Sequence, residues 1–133
     1  MNAEPTPWYA IPILYAVGVL LIALAIPLMG RRIKPNGLYG IRFPATLEDE
    51  SVWYDINALG GRHLAAIGVV YLVLLTVAVV FLKTWPDDRR FLVPAVFVVV
   101  ALVADAIFLA IASSRLLAKR RASPGTRRRE ETP

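Results

Sequence analysis

The sequence predicts an all-α membrane protein, a bundle of three transmembrane helices. Three apolar stretches are each long enough to cross a hydrocarbon core of about 30 Å, which takes about 20 helical residues. Of the 133 residues, 57% are hydrophobic, and the mean hydropathy is +0.57, which is too apolar for a water-exposed globule. We expect one three-helix domain over residues 1–118 and a basic, disordered tail over 119–133.

The first predicted span covers residues 8–29. Its Ala23-Leu24-Ala25 run is similar to the small-residue cleavage site of a signal peptide. The preceding flank, however, carries Glu4 and no lysine or arginine, and the apolar stretch continues past the candidate site. We therefore expect this segment to remain as a membrane helix.

The second and third spans are predicted over residues 64–82 and 91–113, and their orientation follows from the basic residues. No lysine or arginine precedes the first span, five lie between the first and second, three between the second and third, and seven follow the third. This alternation predicts an outside N-terminus and a cytoplasmic C-terminus. Trp8, Tyr9 and Trp85 would then lie at the outer interface, where aromatic rings are enriched.

The cytoplasmic segment over residues 30–62 has the most varied chemistry in the chain. Its first half carries the turn residues Pro35-Asn36-Gly37. Thr46 followed by Asp49 resembles a capping box, which predicts a short amphipathic helix over about 47–59 lying at the membrane interface. The following Gly60-Gly61 pair either forms a hinge to the second span or permits close packing within one long helix.

This segment carries a set of residues whose order and spacing resemble a family signature. They are Lys34-Pro35-Asn36, Tyr39-Gly40-Ile41-Arg42, Pro44, Thr46-Leu47, Trp53, Asn57 and then Gly60 or Gly61. The signature is similar to that of the SdpI family of small bacterial membrane proteins, in its C-terminal domain. A membrane helix lies on either side, as in that family.

The resemblance implies a function in toxin resistance. The family's namesake is an immunity protein that protects a toxin-producing cell from its own secreted peptide and holds a transcriptional repressor at the membrane. We therefore expect a multi-pass protein of the bacterial cell membrane that protects against, or senses, a membrane-active peptide. The expected contact residues are Pro35, Asn36, Tyr39, Gly40, Arg42, Pro44, Thr46, Trp53, Asn57 and Gly60.

Arg42 illustrates the choice between a structural and a binding role for these residues. Its guanidinium could pair with Glu48, with Asp49 or with a lipid phosphate, because it offers a bidentate fork. The order of residues around it is more elaborate than membrane topology requires. We favour a structural clamp over a simple topological charge, and over a direct ligand contact.

Asp105 is the one charge within the predicted spans. An ionised carboxylate there costs about 2.5–3.5 kcal/mol, so it should face the bundle and have a partner. Tyr71 lies at a matching depth of the second span and is the predicted hydrogen-bond partner, with Thr76 or Tyr15 as substitutes. The contact is expected to hold helices together rather than to carry protons or cations.

Two further features of the sequence have a structural interpretation. The single histidine, His63, is expected to be a wet side chain at the inner interface. Ala106, Ala110 and Ser114 form a stripe of small residues that suits close approach of another helix, in the bundle or in a second copy.

Several classes of function find no support in the sequence. There is no cysteine, no nucleotide-binding loop, no metal-ligand spacing and no nucleophile with a companion base, so neither an enzyme nor a cofactor is expected. The basic residues flank apolar runs, which argues against nucleic acid. Expected partners are the lipid bilayer and a peptide toxin or membrane protein, or a second copy. Rival functions are an accessory subunit of a larger complex and a small transporter using Asp105.

Overall fold

The computed structural model describes residues 9–81 and 87–122, without the side chains of 87, 88 and 90. Its elements are α1 (Ala10–Met29), α2 (Pro44–Glu48), α3 (Glu50–Phe81) and α4 (Asp87–Ala122). The helices α1, α3 and α4 are long and apolar enough to cross a membrane, which confirms the all-helical prediction for the described residues. Trp8, Trp85, the predicted end of the second span at residue 82 and the tail over 123–133 lie outside them.

The helix α1 ends in a tight reversal of the chain. Gly30 N donates to Ile26 O at 3.2 Å, and Arg31 N donates to Leu28 O at 3.2 Å. Arg31 has a φ of 52°, a left-handed conformation that commonly terminates helices. The chain after Arg31 therefore turns back across the end of α1. We call the end of the molecule that carries residues 30–49 the loop end.

The helix predicted over residues 47–59 has different bounds at both ends in the structure. Asp49 has extended backbone angles (φ −132°, ψ 117°) and separates α2 from α3. Its Oδ1 accepts hydrogen bonds from Ser51 N at 2.8 Å and Val52 N at 3.2 Å, so Asp49 caps α3. Thr46 Oγ1 instead accepts from Phe43 N at 3.0 Å, at the start of α2. Residues 50–59 are thus the first turns of the 32-residue α3, and a separate interfacial helix is not confirmed.

Gly60 and Gly61 continue α3 rather than hinge it, and Gly61 lies against the backbone of α1. A Cβ added to Gly61 would stand 2.8 Å from Met29 N and 3.0 Å from Ala25 O. One α-helical heptad further along, a Cβ on Gly68 would stand 3.1 Å from Gly18 O. Small residues therefore bring the two helices into close contact, as is common between membrane helices.

The three long helices form an open layer with α3 in the middle. Both α1 and α4 pack on α3, but within the described residues α1 and α4 make no contact with each other. The arrangement is open because the α1-facing glycines of α3 and its α4-facing residues lie on different sides of the helix.

The helix α4 extends past the predicted third span. Its 36 residues measure about 54 Å, far more than a hydrocarbon core of about 30 Å. Its last turns pack on the first turns of α3, where Val52, Ile56 and Leu109 form a buried core. Residues 119–122 are helical, which corrects the start of the predicted disordered tail.

We expect Gly61→Ala to destabilise the protein by about 1–3 kcal/mol, the usual cost of overpacking, because the added methyl meets α1 backbone that cannot rotate away. Gly60→Ala is the matched control. Its methyl meets the side-chain ends of Ile41 and Leu109, and alanine regains about 1 kcal/mol of helix propensity. Unfolding in detergent followed by circular dichroism measures both variants. A Gly61→Ala protein as stable as Gly60→Ala would contradict this packing.

Candidate functional site at the loop end

The loop after α1 is folded around the side-chain amide of Asn36. Its Nδ2 donates to Lys34 O at 2.8 Å and to Tyr39 O at 3.1 Å. Its Oδ1 accepts from Leu38 N and Tyr39 N, both at 2.8 Å. One amide thus makes four hydrogen bonds to the main chain, which closes the turn predicted around Pro35-Asn36-Gly37.

Gly40 lets the loop lie directly on α3. Its φ is +117°, a region that favours glycine. A Cβ there would stand 2.8 Å from Asn57 Oδ1 and 2.9 Å from Trp53 Cη2. Any side chain at this position would therefore push the loop off the two α3 residues that hold it.

Asn57 and Trp53 hold the loop by its backbone. Asn57 is 3% exposed. Its Oδ1 accepts from Ile41 N at 2.6 Å, and its Nδ2 donates to Trp53 O at 2.9 Å. Trp53 is fully buried and its Nε1 donates to Ile33 O at 2.8 Å. Both side chains therefore use their hydrogen-bonding groups on the protein's own main chain.

Other signature residues complete this arrangement. The Thr46 hydroxyl lies 3.0 Å from Ile41 O, within reach to donate to it. The Tyr39 hydroxyl donates to Leu24 O of α1, and partial burial raises the pKa of this phenol. Pro44 is the first residue of α2 and Pro35 is exposed on the loop. The geometry agrees with the structural clamp favoured from the sequence.

Arg42 does not make either of the acidic pairs suggested for it. One of its amino groups donates to Gly37 O within the loop. Glu48 is instead paired with Arg121, and the Asp49 carboxylate accepts from the Ser51 hydroxyl. That last hydrogen bond lowers the pKa of Asp49, so its capping contribution persists at neutral pH and is lost only as the carboxyl protonates in acid.

We expect Asn57→Ala to cost about 1–3 kcal/mol, because it leaves the partly buried Ile41 N–H without its acceptor. Asn36→Ala makes the same chemical change at an exposed side chain and should cost less than about 1 kcal/mol, because water replaces the lost partner. Unfolding in detergent, with hydrogen exchange over residues 33–43, checks both. Equal effects would show that the buried amide is not the stronger anchor.

The predicted hydrogen bond between Tyr71 and Asp105 is not formed. Tyr71 OH donates to Leu14 O at 3.1 Å, and the substitutes Tyr15 and Thr76 pair with each other at 3.0 Å. The partner of Asp105 is His63, with 2.6 Å between Oδ1 and Nδ1. The estimate that Asp105 and Tyr71 lie at the same depth was wrong. Because α4 continues to Ala122, well past residue 113, Asp105 lies level with His63 and nearer the loop end than assumed.

The His63–Asp105 pair lies beside the end of the apolar part of α3 that is nearer the loop end. From His63 to Phe81 the helix rises about 27 Å, close to the thickness of a hydrocarbon core. His63 also packs on Phe108, with 5.6 Å between ring centroids, and its side chain is 36% exposed. The sequence-based interpretation of a wet interfacial histidine missed this pairing.

A cleft of about 270 Å³ opens beside this pair, between the loop, α3, α4 and Leu28 at the end of α1. Gly60 forms part of its floor, where a Cβ would meet Ile41 Cδ1 at 2.1 Å. Arg42 and Asp105 are the charged residues that line it, and Ala106 of the small-residue stripe also lies there. The other members of that stripe, Ala110 and Ser114, bond to each other through the Ala110 carbonyl and the Ser114 hydroxyl.

Ion pairs that the sequence analysis missed connect the ends of all three long helices. Asp55 of α3 accepts from Arg31, just beyond α1, at 2.5 Å and from Arg120 of α4 at 2.6 Å. Arg120 also donates to the Ser51 hydroxyl. The acidic start of α3 and the basic end of α4 were visible signals for this antiparallel pairing.

The sequence model of the SdpI/YfhL protein family matches residues 32–113. The chain belongs to this family. The match takes in the loop from residue 32 onward, α2, α3 and most of α4, so the SdpI/YfhL signature coincides with the clamp just described. No curated protein and no solved structure matches the chain.

Family membership and the three apolar helices make this SdpI-family chain a membrane protein. Within it, the signature residues with polar side chains bond mainly to the loop's own backbone. The SdpI/YfhL signature therefore specifies a folded platform at the loop end, with Arg42 and the cleft at its edge.

Proposed function

We propose that this SdpI-family protein protects its cell against, or senses, a membrane-active peptide. Family membership supports the class of function. A contact between that peptide and the protein is supported by the open layer of helices, in which α3 keeps an exposed apolar face within the membrane.

The proposed contact is a groove along that face of α3. Val69, Leu72, Val73, Thr76 and Val77 line a space of about 320 Å³. The valines are β-branched and stiff, so ordering them against a partner costs little side-chain entropy. Between membrane helices the favourable terms are close packing and interhelical hydrogen bonds, and a stiff valine surface supplies the packing.

We propose that the loop end faces the cytoplasm and lies at the inner interface. The alternation of basic residues along the sequence supports this orientation. So does the position of His63 at the edge of the apolar stretch of α3, since polar groups are less costly there than at mid-membrane. The first turns of α3 would then stand at or above the headgroups, where the interfacial helix was expected.

Cysteine labelling tests the orientation, because the chain has no native cysteine. Leu38 is 93% exposed at the loop end, so Leu38→Cys should leave the fold intact. We expect a membrane-impermeant maleimide to label it only after the cells are opened. Labelling in intact cells would place the loop end outside and reverse the proposal.

A challenge assay tests the peptide contact. Cells lacking the gene are complemented with the wild type or with Val73→Trp, which fills the groove, and exposed to the peptide toxin of a producing strain. We expect the wild type to restore survival and Val73→Trp to lose most of that protection.

Val103→Trp is the matched control for this assay. Val103 on α4 is 56% exposed, as is Val73, and it does not line the groove. We expect it to protect as the wild type does, at equal membrane abundance. Survival that does not depend on the gene would rule out the protective function, and equal loss in both variants would rule out the groove.

A further inference from the structure

The cleft beside the His63–Asp105 pair holds two opposite charges with unused hydrogen-bonding capacity. Asp105 uses Oδ1 for His63, and its Oδ2 has no hydrogen-bond partner among the described residues. Arg42 uses one amino group for Gly37 O, whereas a guanidinium has five donors. A ligand in the cleft would therefore meet a cation at the rim and a carboxylate in the wall.

The rest of the cleft is apolar and lies where headgroups meet acyl chains. Leu64, Leu102 and Leu109 line it together with Ile41 and Phe43. The cleft is at the edge of the apolar stretch of α3 that begins at Leu64, about 26 Å from Phe81. An amphiphile whose polar part carries both charges and whose apolar part enters the leaflet would match this lining.

The cleft has a volume of about 270 Å³ and is partly open to its surroundings. It accommodates a headgroup and the first carbons of an acyl chain.

We infer that the cleft binds the headgroup of a zwitterionic phospholipid with a primary amine, phosphatidylethanolamine. The lipid phosphate accepts from Arg42, and the ammonium donates to Asp105 Oδ2. A choline headgroup lacks N–H donors and leaves that carboxylate oxygen without a hydrogen bond. A glycerol headgroup brings a phosphate for Arg42 but no cation for Asp105. This site is distinct from the groove on α3 and does not depend on the proposed peptide contact.

Native mass spectrometry of the full chain, released from detergent, tests the inference. The protein is mixed with equal amounts of phosphatidylethanolamine, phosphatidylglycerol and phosphatidylcholine with identical acyl chains. We expect the ethanolamine lipid to be retained about tenfold more than the choline lipid, the difference of one charge-assisted hydrogen bond. Equal retention of all three lipids by the wild type would overturn the inference.

Two substitutions should separate the two contacts. Asp105→Asn should remove the preference for ethanolamine while leaving retention of phosphatidylglycerol unchanged, because only the ammonium contact is lost. Arg42→Gln should weaken both lipids by about tenfold, because both carry the phosphate. Arg32→Gln and Glu50→Gln alter exposed charges that do not line the cleft and should change neither.

The variant Asp105→Glu controls for a folding defect in Asp105→Asn. Asp105→Glu keeps the charge and the acceptor on a side chain one methylene longer, and we expect it to keep a preference for ethanolamine over choline. Loss of all three lipids to the same extent in folded Asp105→Asn would contradict the inference. So would a toxin peptide that binds to the wild type and is lost in Arg42→Gln and Asp105→Asn while lipid retention stays the same.

Discussion

The contact between Asn57 and the backbone of Ile41 is the constraint on which the loop end depends. This buried amide fixes Ile41 N at 2.6 Å, and the Thr46 hydroxyl reaches the carbonyl of the same residue. With its backbone fixed on both sides, Ile41 places its side chain over Gly60 and into the cleft. An unpaired amide in this position would cost about 1–3 kcal/mol, so the loop has little freedom to move away.

A second constraint joins helices that do not touch. Within the described part of the chain the backbones of α1 and α4 do not contact each other, yet Arg31 and Arg120 meet at the carboxylate of Asp55. Exposed ion pairs contribute little singly, but a carboxylate shared by two guanidinium groups fixes three helix ends at one point. The open layer is thus closed at the loop end and remains open along its apolar length.

Much of this architecture follows from local sequence, and the parts that do not are long-range. Apolar length predicted three helices, and turn chemistry predicted the fold around Asn36. The partner of Asp105 was missed because depth was counted along each helix from an assumed end, whereas α4 continues to Ala122. The continuity of α3 through Gly60 and Gly61 could not be predicted either, because it depends on α1 and Leu109 packing against them.

The Asn57–Ile41 contact and the shared Asp55 carboxylate both hold elements that line the cleft. His63 lies eight residues from Asp55 on α3, about 12 Å along the helix axis. A ligand that drew Arg42 and Asp105 together would act on the loop through Arg42 and on α4 through Asp105. Both elements are also held on α3, the loop by Asn57 and α4 by Asp55, so neither can move independently of the other. Occupation of the cleft would therefore stiffen the loop end as a unit, and leave the groove on the apolar half of α3 free to respond to a different partner.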